Sequence, residues 1–369
     1  MQNDNIQIKR PLKFLVILPD LKSGGAQRVS INLLNGLVDR GFCVGLVSLV
    51  EAGPLKKFLL NTVKIYIVGA RSLRWSLFSL NKALKRLRPI VVFSTLGYVN
   101  IALLTLKVLF KFKSRVWIRE ANLPSLSLPN SRFPNLMHLA CKVLYRHADL
   151  VICSSARMQN ELINQFRVPL LKIRFLANPI DEVAIRKYAD LKTLPHNLCR
   201  RFVAVGRLNQ QKGFDRLLKM FFELDDLNSE LVIIGNGPMD YLLREQVKEL
   251  GIATRVIFVG FTDNPWIWLR ISDAFLLSSR WEGMPNAALE ALACGVPVIA
   301  TPESGGIAEV ITFSAPGAVQ VVEIGKPYIE AMQKVRYRSK DILPPSLLPP
   351  QYHLEFVVDT FVGWLNEVE

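Results

Sequence analysis

The sequence predicts an α/β protein built from two doubly wound, parallel-sheet domains in tandem. Three observations carry this. The chain has 369 residues, 50% of them hydrophobic and 21% charged, enough for two ordinary cores at roughly 100–200 residues per domain. Short apolar strand-like runs alternate with helical patterns, as βαβ units and a parallel sheet require. After residue 195 the alternation starts again. The expected division is 1–180 and 181–355, with the charged stretch Asn178 to Leu198, which carries Pro195, as the linker.

Leu12 to Pro19 is the first predicted strand, a continuous apolar run closed by Pro19-Asp20. Gly24-Gly25 follow, and Val29 to Leu37 are apolar at helical spacing up to the stop at Gly41. Val44 to Leu49, Val63 to Val68, Ile90 to Ser94, Arg115 to Ile118 and Leu150 to Cys153 are the next strands; Trp75 to Arg88 is a basic helix between them. In the second half, strands are expected at Phe202 to Gly206, Leu231 to Gly235, Arg255 to Gly260, Ala274 to Ser278 and Val298 to Thr301. Helices are expected at Phe214 to Leu224 and Tyr241 to Leu250. The proline pairs Pro344-Pro345 and Pro349-Pro350 isolate a last amphipathic helix, Phe356 to Val368.

Composition excludes a disordered chain, a collagen-like repeat and a small disulfide scaffold. The five cysteines are odd in number and scattered, with no C-x-x-C pair, which argues for a reducing compartment. Four histidines without an H-E-x-x-H or H-x-H pattern argue against a metal enzyme. No signal segment is read, and the apolar run Ile101 to Phe110 is half the length of a spanning helix. A cytoplasmic protein is therefore expected. Charge is lopsided: residues 1–180 carry +20 and residues 181–369 carry −5. A basic half of this size suits anionic lipid headgroups, a pyrophosphate-linked substrate or nucleic acid; a solvated surface is the plainer explanation.

Three motifs carry candidate chemistry. Gly24-Gly25 lies between a strand end and a helix start, where backbone can approach a ligand and free helix amides favour an anion. It is not G-x-G-x-x-G, and a plain tight turn explains it equally well. Next, Gly206-Arg207-Leu208-Asn209-Gln210-Gln211-Lys212-Gly213-Phe214 places Arg207 and Lys212 on one loop at the C-terminal edge of a parallel sheet. Two such cations suit a diphosphate, Arg as a fork and Lys as a point charge. The third motif runs from Arg280 to Pro297. Pro285 fits a first helical turn and Gly295 a C-terminal stop. Glu282 then sits just ahead of the helix and Glu290 about a turn and a half inside it, two carboxylates able to accept sugar hydroxyls.

Taken together, Gly24-Gly25, the G-R-x4-K-G-F stretch, Ile234-Gly235-Asn236-Gly237-Pro238 and the E-x7-E pair Glu282/Glu290 resemble glycosyltransferase family 4 in identity and order. The segments from His147 to Val151, Asn178 to Asp181 and Val256 to Gly260 are also similar to that family, so the resemblance spans nearly the whole chain. It implies the GT-B architecture: two Rossmann-like domains facing a central cleft, an N-terminal acceptor domain, a C-terminal nucleotide-sugar domain, and a C-terminal helix (356–369) crossing back to the first domain. It implies sugar transfer with retention of configuration from a nucleotide sugar, a UDP-sugar first, without an obligatory metal or other cofactor.

The resemblance also distributes roles. Arg207 and Lys212 match the diphosphate-binding pair, stabilising the departing nucleoside diphosphate. Glu290 matches the ribose-binding carboxylate and Glu282 the donor-sugar contact, with amides around Gly283, Met284 and Asn286. Gly237 joins the donor set, Thr262 matches the loop that meets the nucleobase, and Gly24 and Gly25 close over the diphosphate. Donor choice is expected to depend on Glu282 to Asn286 and Glu303 to Gly306.

Where many members carry a His, this chain has Trp117-Ile118-Arg119-Glu120-Ala121-Asn122. Arg119, Glu120 and Asn122 are the acceptor-side candidates, with Glu120 either a base or a structural partner. A lipid-linked or polysaccharide acceptor in cell-surface glycan assembly follows from the resemblance. Membrane contact is expected through Lys82, Lys85, Arg86, Arg88, Lys107, Lys111, Lys113 and Arg115, interleaved with Trp75, Phe78, Phe110 and Phe112. That places the protein at the cytoplasmic face of the membrane. Two other readings are weaker. An epimerase or phosphorylase on the same fold leaves the glutamate pair unused. A scaffold or nucleic-acid binder leaves Arg207, Lys212, Glu282 and Glu290 unexplained, and no RNP, KH or zinc-finger pattern is present.

Overall fold

A computed structural model of the chain describes residues 12–22, 24–50, 53–69, 73–130, 133–190 and 199–368. The last part of the expected linker, 191–198 with Pro195, lies outside the described residues, as does the side chain of Trp75. The chain divides into two compact units, Met1–Pro179 with Leu354–Glu369, and Ile180–His353.

The first unit is a seven-stranded parallel sheet with strand order β3-β2-β1-β4-β5-β6-β7. Its strands are β1 (Phe14–Leu18), β2 (Val44–Ser48), β3 (Lys64–Ile67), β4 (Val91–Ser94), β5 (Arg115–Arg119), β6 (Leu150–Cys153) and β7 (Ile173–Phe175). The helices are α1 (Gly25–Asp39), α2 (Leu73–Leu87), α3 (Gly97–Phe110), α4 (Pro124–Ser127), α5 (Pro134–Leu144) and α6 (Ala156–Asn164). Strands β1, β2, β4 and β6 are buried along their whole length, which is why they read as unbroken apolar runs.

In the second unit a six-stranded sheet has the order β10-β9-β8-β11-β12-β13. The strands are β8 (Arg200–Val205), β9 (Ser229–Ile234), β10 (Val256–Gly260), β11 (Ala274–Leu277), β12 (Val298–Ala300) and β13 (Val319–Val321). They alternate with α7 (Glu182–Asp190), α8 (Phe214–Glu223), α9 (Asp240–Glu249), α10 (Trp266–Arg270), α11 (Asn286–Ala293), α12 (Ile307–Ile311) and α13 (Lys326–Gln333). All pairings in both sheets are parallel. Each unit is thus doubly wound, with its order reversing about β1 in the first and β8 in the second. Ligands of such sheets bind outside the strand C-termini at that reversal.

Two elements differ from expectation. Residues 182–190, expected as linker, form α7, which buries Ile185 and Ala189 one turn apart. Pro285 stands one residue before α11 as its N-cap rather than in the first turn. Gly295, past the last turn of α11, has φ of +72°, the left-handed stop that glycine adopts without strain.

The last helix, α14 (Leu354–Asn366), belongs to the first unit. Gly36 on α1 lets it approach: a Cβ there would stand 2.4 Å from Val358. Phe361, fully buried, sets its ring 5.2 Å from that of Phe14, 5.3 Å from Trp117 and 6.0 Å from Phe93. The chain therefore leaves the second unit to complete the core of the first.

Candidate active site

In the second unit the two loops at the sheet reversal are those that follow β8 and β11. The first carries Arg207 and Lys212; the second carries Glu282. Gly206 directly follows β8 and leaves room for the Lys212 stem, since a Cβ there would meet Lys212 Cε at 2.9 Å. Asn209 caps the short turn by accepting from the Lys212 amide at 3.3 Å. Gly213, at φ +65°, brings the start of α8 against the β11 loop: a Cβ there would stand 2.1 Å from the Ser278 carbonyl oxygen. A left-handed conformation and this close approach both require glycine.

The result is a direct contact between two predicted site residues. Lys212 Nζ donates to Glu282 Oε1 at 2.5 Å. Ser279 Oγ donates to the same oxygen at 2.7 Å, and Gln211 Nε2 reaches Oε2 at 3.5 Å. Glu282 is 5% exposed, so this carboxylate is held by its neighbours rather than by water. An ammonium has three donors and a carboxylate about four acceptor sites. Lys212 keeps donors for phosphate oxygens while bonded to Glu282, and Glu282 keeps acceptor capacity on Oε2. Arg207 is exposed on the same loop.

Glu290 lies on α11, with Oε2 accepting from the indole Nε1 of Trp266 at 2.9 Å. Trp266 opens α10, a few residues past Thr262, whose hydroxyl accepts from the Asn264 amide at 3.2 Å. The Thr262 loop and Glu290 are thereby tied together. Trp266 was not among the predicted residues; the aromatic in Asn264-Pro265-Trp266, directly after the β10 loop, is the signal that points to it. Gly237 packs on the Arg207 loop, where a Cβ would meet the Leu208 carbonyl oxygen at 2.2 Å. Gly283 and Met284 are buried, Asn286 is half-buried, and α11 has no side-chain cap. The loop around Gly305 and Gly306 lies against them, with the Gly306 amide donating to the Gly283 carbonyl at 2.8 Å. Arg207, Lys212, Gly237, Thr262, Glu282, Gly283 and Met284 therefore lie on loops of the second unit that follow strand C-termini, and Asn286 and Glu290 on the helix α11 that the last of these loops leads into.

In the first unit, Gly24 and Gly25 follow β1 at the reversal. Gly24 has φ of +145°, and both glycines are exposed, Gly24 as the N-cap and Gly25 as the first residue of α1, which has no side-chain cap. Arg119 ends β5, is 2% exposed and donates through Nη2 to Asn178 Oδ1; burial lowers its pKa to about 10, so it stays charged. Glu120 accepts from Asn100 Nδ2 at 2.8 Å and from the Tyr145 hydroxyl. Asn100 in turn accepts from Ser94 Oγ and donates to the Arg119 carbonyl at 3.0 Å. This closed network fits the structural-partner role for Glu120. Asn122 is half-buried just beyond it.

Burial pushes the Glu120 carboxyl up to about 7, against the bonds from Tyr145 and Asn100 that favour the anion. The folded chain thus holds its proton where the unfolded chain has lost it. As pH rises between about 4.5 and 7, this group reduces stability by an amount on the order of 3 kcal/mol, and above 7 the cost is constant. Glu120→Gln is expected to flatten that part of the profile in urea melts at pH 5, 6, 7 and 8.

Comparison with known proteins follows this division. Residues 23–183 match the family model described as Glycosyltransferase Family 4, and residues 199–334 match Glycosyl transferases group 1. The chain belongs to the family 4 glycosyltransferases, and its two units form the GT-B fold. The N-acetylgalactosamine-N,N'-diacetylbacillosaminyl-diphospho-undecaprenol 4-alpha-N-acetylgalactosaminyltransferase of Campylobacter jejuni is 30% identical over 54% of this chain. That match spans about half of the relative, 54% of its length. The UDP-Gal:alpha-D-GlcNAc-diphosphoundecaprenol alpha-1,3-galactosyltransferase of Escherichia coli is 27% identical over 76% of this chain and 77% of its own. Among solved structures, Anabaena HepE in complex with UDP and glucose superposes with a TM-score of 0.77 at 16% identity, over 96% of this chain and 99% of that one.

Proposed function

We propose that this protein transfers a hexosyl or N-acetylhexosaminyl residue from a UDP-sugar to a lipid-linked or polysaccharide acceptor, with retention of configuration, in cell-surface glycan synthesis. The observation that carries the reading is the Lys212–Glu282 contact at the reversal of the second sheet, with Arg207 on the same loop. Lys212 and Arg207 supply cationic charge where the leaving diphosphate gains negative charge, and that preorganised stabilisation is usually the largest part of catalysis. Glu282 accepts from the donor sugar, and Glu290, steadied by Trp266, accepts from the ribose. In this reading the bond from the anomeric carbon to the phosphate oxygen breaks as the bond to the acceptor oxygen forms on the same face. The leaving phosphate oxygen takes the acceptor proton, so no protein base is needed, which agrees with the enclosed position of Glu120. The two cations do the work of charge stabilisation, and the reading calls for no metal.

The relatives support the substrate classes: the Escherichia coli enzyme is named for UDP-Gal and a diphosphoundecaprenol acceptor, and HepE was solved with UDP. The test is incubation with UDP-galactose, UDP-glucose and their N-acetylated forms together with diphosphoundecaprenyl-linked sugars, with NMR of the product linkage. One α-linked product from an α-linked donor is expected; a β-linked product contradicts retention.

Attachment to the cytoplasmic face of a membrane is part of the same reading. Among the described residues no helix is long and apolar enough to cross a bilayer. On α3, Val108, Leu109 and Phe110 are exposed; on α5, Leu136, Leu139 and Val143 share one exposed face. Exposed Lys82, Lys85, Arg86, Arg88, Lys111, Lys113 and Arg115 flank them, and Lys85 stands 5.4 Å from the centre of the Phe110 ring. Phe78 is exposed as well, whereas Phe112 packs partly into the core and Lys107 pairs with Asp149. Anionic vesicles are expected to recover the protein at low salt, and Leu136→Ser with Leu139→Ser to lower that recovery several-fold. Equal recovery on neutral vesicles contradicts the electrostatic part.

A further inference from the structure

The Lys212 loop and the Glu282 loop are joined by a set of contacts that neither residue makes itself. Arg280 donates bidentately to Asp215, Nη1 to Oδ1 at 2.7 Å and Nη2 to Oδ2 at 2.6 Å. Its amide donates to the Gln211 carbonyl at 2.7 Å, and its Nη1 also reaches the Gln210 carbonyl at 2.9 Å. Gln211 returns the contact through Nε2 to the Trp281 carbonyl at 3.0 Å. Arg216, beside Asp215 on α8, donates to the Ser278 and Ser279 carbonyls at 2.8 and 2.7 Å. Asp215 lies three residues after Lys212, and Arg280 two residues before Glu282.

We propose that the Asp215–Arg280 pair is a positioning element. It sets the separation of Lys212 and Glu282, and through them the placement of the donor diphosphate relative to the donor sugar. The proposal rests on the transferase reading above. Its physical basis is the planar guanidinium fork. Two parallel bonds to one carboxylate fix direction as well as distance, which a lysine ammonium cannot do. The pair also departs from an ordinary surface bridge. Both side chains are about 30% exposed, and the Arg280 hydrogen bonds lower the carboxyl pKa from its usual value. Neither side chain is bonded to the Lys212 ammonium or the Glu282 carboxylate, so both act through the backbone of the loops they join. A displacement of about 1 Å at a reacting centre costs on the order of 100-fold in rate, so a looser clamp affects turnover more than binding.

The test compares Arg280→Lys and Asp215→Asn with the wild type. Asp240→Asn, which removes the exposed Arg244–Asp240 bridge on α9, is the control. Three quantities are read: kcat and KM for UDP-sugar turnover, Kd for UDP, and Tm. Arg280→Lys and Asp215→Asn are expected to lower kcat at least tenfold, with Kd for UDP within about threefold of wild type and a folded melting profile. Asp240→Asn should match the wild type. Wild-type turnover with unchanged kcat in the folded variants overturns the positioning role alone. So does a loss of kcat that parallels a loss of UDP affinity or of folded protein. A folded wild type that neither binds UDP nor turns over any UDP-sugar overturns the underlying transferase reading, and the positioning role with it.

Discussion

Lys212→Ala is expected to lower kcat by about two to three orders of magnitude, the usual cost of removing one preorganised donor from a developing oxyanion. Two effects combine. The ammonium that meets the leaving diphosphate is gone, and Glu282, 5% exposed, loses its cationic partner. A buried carboxylate stripped of its ion pair is costly, so a modest fall in Tm should accompany the loss of rate. Lys212→Gln separates the two: it can still donate to Glu282 but brings no charge, so it should recover most of the Tm and little of the rate. The transfer assay and a thermal melt of the two variants check this. Near-wild-type kcat in a folded Lys212→Ala protein would remove Lys212 from the chemistry.

The second large effect is structural. Phe361→Ala is expected to destabilise the first unit by about 3–5 kcal/mol, the range for truncating a fully buried phenylalanine. Phe361 has no exposed surface, and its ring meets Phe14, Phe93 and Trp117 edge-on. The loss should fall on the first unit, although the residue is reached through the second. Calorimetry should therefore show the first unit's transition moving down and separating from that of the second. A change below about 1 kcal/mol would mean that α14 is not part of that core.

Legibility in the sequence followed the physics of each element. The central strands were readable because burial on both faces leaves an unbroken apolar run, as in Phe14–Leu18. The edge strands β7 and β13 were not. Each has three residues, and neither is buried along its whole length, so nothing separates them from loop by pattern. Helix α7 hid among charges because only Ile185 and Ala189 are buried. At the site, glycines, cations and carboxylates in fixed order announced themselves. The partners that hold them did not: Arg280 and Asp215 are 65 residues apart, and Trp266 is 24 residues from Glu290. Contacts of that range exist only once β8, β10 and β11 have been brought together by the sheet. The enclosure of Glu120 was likewise invisible, since Asn100 and Tyr145 come from separate elements of the first unit.

A nucleoside diphosphate held by the loops after β8 and β11 is what the proposed function requires. The most direct test is thermal denaturation of wild-type and Lys212→Ala protein with UDP, GDP, ADP or dTDP. UDP at 100 times its Kd should stabilise the wild type by about 2.7 kcal/mol. The variant should show little of this shift, and the other nucleotides less than UDP. A folded wild type whose Tm is unmoved by all four, or a UDP shift that persists in Lys212→Ala, would contradict the account.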